Sequence, residues 1–205
     1  MKNRLEKIRS KLSELKGERK RVQEDLKESK IKARRLQRDL GIAEKSLDVL
    51  RVAAQLTQKQ LEYQVGNFVS LAMRTVFGDS AYEFKLKFEQ RRNNTEADLL
   101  FVRNGQEMKP IFSSGGGAVD VASFGLRVAI WSLRQKKLRD VLLLDEPFKH
   151  LSIDLQEYAG NMIKLISEKL KLQIIEISHV LDIVDYANKV FDVTINEGVS
   201  KVKIL

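Results

Sequence analysis

Apolar residues recur at alternating intervals of three and four along the first third of the chain. Eighteen positions keep this spacing without a slip, and fourteen of them are apolar. They are Leu5, Ile8, Leu12, Leu15, Arg19, Val22, Leu26, Ser29, Ala33, Leu36, Leu40, Ala43, Leu47, Leu50, Ala54, Thr57, Leu61 and Gln64. Such a seam predicts one strand of a coiled coil, and about 60 helical residues would extend roughly 90 Å. Its phase continues through Phe68 and Leu71, and Gly78 is expected to end the helix.

A stripe of this length needs a partner helix, yet the rest of the sequence contains no second heptad run. The partner is therefore expected from another chain or from sequence outside this one. A parallel homodimeric zipper is the structural alternative.

Beyond residue 78 the pattern changes to short strands and amphipathic helices, which is typical of an α/β fold with a parallel-sheet core and antiparallel hairpins. The predicted segments are strands Tyr82–Phe88 and Leu99–Val102, a short strand through Met108, helix Ala118–Leu133, strand Val141–Leu144, helix Leu155–Lys169, strand Leu172–Ile177, and a hairpin of Val190–Ile195 and Ser200–Ile204.

The strand Val141–Leu144 consists of four consecutive large aliphatic residues and ends in two acids, Asp145 and Glu146. An uninterrupted apolar run predicts a strand that is buried on both faces of a parallel sheet, where ligands bind at the carboxyl ends of the strands. Buried carboxylates there need a compensating cation, and Mg²⁺ with a nucleotide phosphate would supply it. Asp145 would hold the metal and Glu146 would orient the attacking water. Two acids at an exposed strand end are the alternative.

Two other stretches are predicted to converge on these acids. The glycine turn (Ser113–Gly117) opens a helix, where unpaired amides and the helix dipole favour an anion, and its candidate contacts are Ser114, Gly115, Gly116 and Gly117. His179 follows the next predicted strand, and a neutral imidazole there could hydrogen-bond a γ-phosphate or the attacking water. A plain glycine-rich loop and a helix-capping histidine are the alternatives.

Charge is distributed unevenly over the 205 residues, whose formal net charge is +9. Residues 1 to 60 contain 18 Lys and Arg against 9 Asp and Glu, whereas the remainder contains 19 of each. A basic extension favours a polyanionic partner such as DNA, and a lysine-rich solvated helix is the alternative. The chain lacks cysteine, a signal-peptide pattern and any apolar run of membrane-spanning length, so it is expected to be cytoplasmic.

The glycine turn, the strand with paired acids and the strand with histidine occur in this order behind the heptad arm. Together they resemble the carboxyl-terminal half of an ABC-type ATPase head, and more closely the SMC and SbcC group of DNA-repair and recombination ATPases of bacterial or phage type. The resemblance implies that Ser114–Gly116 correspond to the signature motif, Asp145 and Glu146 to Walker B with its catalytic glutamate, and His179 to the switch histidine.

The sequence departs from that family at two positions. Gly117 stands where glutamine or glutamate is common, so a side-chain contact is lost. The stretch Phe148–Asp154 resembles the D-loop, but Ser152 replaces its usual aspartate, and Asp154 is the candidate substitute.

Two further charged residues, Arg127 and His150, lie near these motifs in the sequence. Arg127 lies within the apolar face of the predicted helix and is expected to pair with an acid such as Asp120, or to couple nucleotide state to the arm as an arginine does in the resembled group. His150 is expected at the surface.

No phosphate loop of the form G-x-x-x-x-G-K-[ST] is present in the sequence. The chain is therefore predicted to comprise one arm strand (1–77) and the C-terminal lobe of a head (78–205), and to hydrolyse ATP only when a Walker A half completes it. The resemblance implies as partners that N-terminal half, a second head in an ATP-sandwiched dimer, DNA, and a nuclease of the SbcD kind. A non-catalytic coiled-coil adaptor that binds DNA or protein is the competing function.

Overall fold

The computed structural model describes residues 2–92, 94–134, 139–179 and 181–205. Their internal contacts divide the chain into two units, Met1–Leu56 and Thr57–Leu205. The first unit is helical throughout its described part and belongs to helix α1 (Lys2–Phe77), as the heptad pattern predicts. Its seam is open to solvent, with Leu12 52% and Leu50 66% exposed. An apolar seam in this state can accept a partner helix.

The second unit contains the last turns of α1 and the remaining elements. They are β1 (Glu83–Arg91), β2 (Asn94–Arg103), β3 (Gln106–Met108), α2 (Pro110–Ser113), α3 (Gly116–Ser132), β4 (Val141–Asp145), α4 (Ile153–Leu170), β5 (Gln173–Ile177), α5 (Leu181–Val184), β6 (Phe191–Asn196) and β7 (Val199–Ile204). β1, β2 and β3 form one antiparallel sheet, β4 and β5 pair in parallel, and β6 and β7 form a hairpin. The predicted fold class is confirmed. Within the described part of the chain, no helix combines the length and apolar content that a membrane span requires.

The last turns of α1 satisfy the free edge of β1 through side chains. The Ser70 hydroxyl accepts a hydrogen bond from the Phe84 N–H at 2.8 Å, and Glu62 accepts one from the Phe88 N–H at 2.6 Å. Val69 is fully buried, whereas Leu71 is 64% exposed. The predicted continuation of the seam through Leu71 therefore does not mark the buried face, because the helix packs here through a neighbouring row of residues.

Helix α3 crosses the core between α1 and the segment after β4. A Cβ at Gly125 would lie 3.3 Å from Ala72 Cβ and 3.4 Å from Val69 Cα, so the absent side chain permits a close approach to α1. The Phe124 ring packs on Phe148 with 5.4 Å between the ring centroids. These contacts fix the position of the helix whose first turn carries the glycine turn.

The parallel pair β4–β5 is covered on one face only. Leu144 is 2% exposed, while its neighbour Leu143 is 70% exposed and Ile177 is 62% exposed. The prediction that β4 is buried on both faces is wrong for this chain: successive strand residues point to opposite faces, and no described residue covers the Leu143 face. The apolar sequence of β4 therefore exceeds what this chain alone requires.

Candidate functional site

The carboxyl ends of β4 and β5 lie side by side because the two strands are parallel and in register. Asp145, the last residue of β4, pairs with Ile177, the last residue of β5. The Glu146 N–H donates to the Ile177 carbonyl at 2.8 Å and extends the ladder by one bond. Strand pairing thus brings the acids of one strand to the edge at which His179 follows the other.

Glu146 turns the chain sharply as β4 ends. Its φ of 42° lies in the left-handed region that residues other than glycine rarely adopt. Its Oε1 lies 3.3 Å from His179 Nε2, and its Oε2 lies 3.3 Å from Lys149 Nζ. The His179 side chain is 89% exposed and the Glu146 side chain 30% exposed. A carboxylate beside an accessible imidazole can order and polarise a water molecule, and strained backbone is often found at such sites.

Asp145 is exposed at the open end of the strand pair. In the described residues, no three His, Cys, Asp or Glu side chains form a cluster that could hold a metal ion. Mg²⁺ in nucleotide sites commonly takes one or two carboxylates and completes its shell with phosphates and water. A single accessible Asp145 fits that role when phosphate oxygens supply further ligands.

The glycine turn joins the short helix α2 to α3. The sequence did not indicate α2, which begins at Pro110, a residue suited to the first helical position. The Ser114 hydroxyl donates to the Pro110 carbonyl at 2.6 Å. Gly115 is the N-cap residue of α3, and Gly115 and Gly116 are exposed. Exposed glycines at a helix start leave backbone amides accessible to an anion.

Gly116 and Gly117 lie against the β4–α4 loop (residues 146–152). A Cβ at Gly116 would be 2.7 Å from His150 Cβ. A Cβ at Gly117 would be 3.0 Å from the His150 carbonyl oxygen and 3.1 Å from Leu151 Cα. The glycine at position 117 therefore has a steric cause, because the β4–α4 loop occupies the space of a larger side chain.

A cavity of about 290 Å³ opens beside the glycine turn and is lined by Gly115, Gly116, Gly117, Tyr82, Arg103 and His150, among others. The Arg103 guanidinium stacks on the Tyr82 ring at 3.7 Å and also donates to the Ser80 carbonyl. The sequence did not predict Arg103 as a site residue. Its only distinguishing feature there is that it precedes the Asn104-Gly105 turn. Its cation makes the surroundings of the glycine amides more favourable to an anion.

Comparisons with known proteins place this geometry in a known fold. No protein-family model and no curated protein sequence matches the chain. Among solved structures, a chain from work on ATP-driven dimerization and DNA-stimulated activation of SMC ATPases matches with a TM-score of 0.58 and 20% identity, over 74% of this chain and 88% of that one. The chain has the SMC-head fold.

Two further solved SMC heads give the same result. A Pyrococcus furiosus head with an extended coiled coil, bound to the C-terminal domain of ScpA, matches with a TM-score of 0.54 and 18% identity, over 70% of this chain and 35% of that one. The Thermotoga maritima head domain matches with a TM-score of 0.51 and 19% identity, over 72% of this chain and 52% of that one. The chain thus spans about half or less of the length of these two heads.

Within the SMC-head fold, the β4–α4 loop leads into α4. Ser152 is the N-cap residue of α4, and no hydrogen bond from its side chain to the helix is present. Asp154 is exposed in the first turn of α4, where a negative charge interacts favourably with the helix dipole.

Arg127 and Asp120 do not form the pair that the sequence suggested. Arg127 is exposed on α3, and Asp120 instead contacts His150 through hydrogen bonds to both the backbone and the ring. His150 is an exposed residue, as predicted, with 64% of its side chain accessible. The predicted pair of Arg127 and Asp120 is wrong because residues seven positions apart on a helix lie about two turns apart, which is too far for an ion pair.

Glu176 is a partly buried acid in β5 that the sequence pattern does not mark as a site residue. It pairs in register with the buried Leu144, and its Oε1 is buried without a hydrogen-bond partner among the described residues. Burial raises the pKa of the Glu176 carboxyl from 4.5 to about 7. Its sequence signal is a charge between two isoleucines, Ile175 and Ile177, in a largely apolar strand.

This raised pKa predicts a specific pH dependence of folding stability. Between about pH 4.5 and pH 7 the folded state binds more protons at Glu176 than the unfolded state does. The contribution of Glu176 to the free energy of unfolding is therefore most favourable below about pH 4.5. It declines as the pH rises to about 7 and stays constant at higher pH.

Substituting Glu176→Gln should remove this decline. The free energy of unfolding of the variant, relative to that of the parent chain, should be higher at pH 7.5 than at pH 4.5 by on the order of 1–2 kcal/mol, after allowance for solvent screening. Urea unfolding at the two pH values measures the difference. An equal effect of the substitution at both values would contradict the raised pKa.

Proposed function

We propose that this chain is the carboxyl-terminal half of the head of an SMC-like ATPase, and that it hydrolyses ATP when a half carrying a phosphate loop completes it. The observation that carries the proposal is the contact between Glu146 Oε1 and His179 Nε2, 3.3 Å apart at the carboxyl ends of two parallel strands. The SMC-head fold and the exposed glycine turn support it.

Glu146 would act as the general base that orients the attacking water, and His179 would hydrogen-bond that water or the γ-phosphate. Asp145 would hold Mg²⁺, which when bound neutralises charge on the phosphates. Ser114, Gly115, Gly116 and Gly117 would face the nucleotide held by a second head, with Asp154 as a further contact from the first turn of α4. The Ser114 hydroxyl would release the Pro110 carbonyl to donate to a phosphate oxygen.

Two exposed apolar surfaces support a missing half. One is the Leu143 face of β4–β5. The other is one face of the β6–β7 hairpin, formed by Phe191, Val193, Ile195, Val202 and Ile204, each more than half exposed. Apolar sheet faces of this kind are normally covered by another layer. We assign residues 1–77 to one coiled-coil strand and 78–205 to the lobe, with the last turns of α1 packed in the lobe.

The partners follow from the same proposal. The basic first 60 residues, with 18 Lys and Arg against 9 Asp and Glu, can bind DNA phosphates without sequence preference. DNA-stimulated activation, reported for SMC ATPases, suggests that DNA regulates turnover here as well. We place the activity in the cytoplasm, in DNA break repair, recombination or end processing, together with a nuclease subunit of the SbcD kind.

The test is ATP turnover by this chain alone and with a co-expressed phosphate-loop half of an SMC-like head, at low and raised salt and with added duplex DNA. Turnover is expected only when both halves are present, because the phosphate loop and the Glu146 site then lie in one head. DNA should stimulate it at low salt and less at raised salt. The absence of turnover in the assembled pair would overturn the proposal.

The departures at Ser152 and Gly117 favour a second function, a coiled-coil adaptor that keeps the head shape without hydrolysis. The adaptor predicts assembly with a partner helix or DNA but no nucleotide-dependent step. Substitution of Glu146 and His179 that leaves every activity of the assembled pair unchanged would support it.

A further inference from the structure

Asp120, in the early part of α3, links that helix to the β4–α4 loop. Its carboxylate accepts a hydrogen bond from the His150 backbone N–H at 2.9 Å. The same oxygen lies 3.2 Å from His150 Nδ1. The Asp120 side chain is only 18% exposed. Water therefore competes with this contact less than it does with an ion pair on the open surface.

The same face of α3 contacts the loop at two more places. Gly116 precedes Asp120 by four residues and Phe124 follows it by four, so the three lie along one helix face. A Cβ at Gly116 would lie 2.7 Å from His150 Cβ, and the Phe124 and Phe148 ring centroids are 5.4 Å apart. The loop is thus held at three successive turns of α3, with the polar contact in the middle.

The two ends of this contact carry groups with different proposed tasks. The glycine turn lies at one end and would engage the nucleotide of a second head. Glu146 lies at the start of the loop, where its carbonyl accepts a bond from the Lys149 N–H at 3.3 Å, and it would act on the nucleotide of its own head. If the glycine turn and Glu146 are rigidly connected, binding of the glycine turn to the nucleotide of the second head would set the position of Glu146 at the nucleotide of its own head.

We infer that Asp120 is a positioning residue that holds the glycine turn in register with the Glu146 loop, through His150, and so couples head dimerisation to hydrolysis within one chain. The inference rests on the proposed function and extends it. Asp120 itself touches no nucleotide in this scheme.

The link can be measured in the isolated chain, without any nucleotide. Asp120→Ala should speed hydrogen exchange of the His150 amide about tenfold, because that amide loses a charge-assisted hydrogen bond. Asp120→Asn keeps an acceptor oxygen and should stay within about twofold of the parent chain. Asp185→Ala, at an exposed aspartate beyond α5, is the matched control and should change nothing at His150. An unchanged exchange rate in Asp120→Ala would overturn the link.

The coupling is measured in the assembled pair with ATP and Mg²⁺. Asp120→Ala should raise the protein concentration for half-maximal ATP-dependent dimerisation about tenfold and lower turnover by a similar factor. Nucleotide affinity should stay within about twofold, because the phosphate loop binds ATP before the heads meet. His150→Ala keeps the backbone bond and should have a smaller effect, and Asp120→Ala/His150→Ala should match Asp120→Ala alone.

The outcomes separate the two proposals. An assembled parent pair that neither dimerises with ATP nor hydrolyses it overturns the proposed function, and the coupling falls with it. A parent pair that is active while Asp120→Ala is equally active overturns the coupling alone. Equal losses of nucleotide affinity, dimerisation and turnover would show a general structural role for Asp120, and restored dimerisation and turnover in Asp120→Asn would support positioning.

Discussion

Substituting Glu146→Gln in the assembled pair is expected to lower ATP turnover by about 100- to 10,000-fold, the range typical for loss of a general base. The amide keeps the size of the side chain but cannot accept the proton of the attacking water. Nucleotide binding should persist, because Glu146 would contact water rather than phosphate. ATP-bound dimers should therefore accumulate, which size-exclusion chromatography with ATP and Mg²⁺ would detect.

The surroundings of Glu146 supply a matched control. Lys149 Nζ lies 3.3 Å from the other Glu146 oxygen, but its side chain is 65% exposed. An exposed ion pair contributes little, so Lys149→Gln should change turnover by no more than about twofold. Full turnover in Glu146→Gln would remove this residue from the mechanism. A large loss in Lys149→Gln with no loss in Glu146→Gln would move the chemistry to the lysine.

Most elements of the fold, though not α2, were predictable because they follow from local patterns. The heptad spacing marked α1, strict alternation marked β1, and the Asn104-Gly105 turn marked the β2–β3 connection. The sequence also predicted that the β4 acids and His179 lie at one edge, because parallel strands bring their carboxyl ends together. Local sequence was sufficient to predict those helices, strands and turns whose structure is determined by residues close together in the chain.

The features that the sequence did not reveal depend on packing between distant segments. The partner of Asp120 comes from residue 150, thirty positions away, and the steric need for Gly117 arises from that same loop. The raised pKa of Glu176 depends on burial beside Leu144, a residue of another strand. No periodicity along one strand encodes such contacts, so only the folded chain shows them.

The exposure of Leu143 has a different origin. A continuous apolar run is typical of a strand covered on both faces, yet this chain covers only one. The sequence of β4 therefore fits a larger layered head than the lobe alone, which is consistent with the proposed missing half.

Alanine substitution of two adjacent leucines of β4 should change the stability of the chain by very different amounts. In the isolated chain, Leu144→Ala should lower the free energy of unfolding by about 2–5 kcal/mol, because Leu144 is 2% exposed. Leu143→Ala should change it by less than about 0.5 kcal/mol, because Leu143 is 70% exposed. Urea unfolding of the two variants measures this difference.

Association with the phosphate-loop half should, in contrast, depend strongly on the residue at position 143. Leu143→Asp would bury a carboxylate in the covered sheet face, and it should weaken association at least about 100-fold, or roughly 3 kcal/mol. Leu165→Asp, at a leucine of α4 that is 41% exposed, is the control and should leave affinity within about twofold. Titration calorimetry of the two halves gives both values. Equal affinities for the parent chain and Leu143→Asp would mean that the other half does not cover this face, and the exposed Leu143 face would then no longer support the half-head assignment.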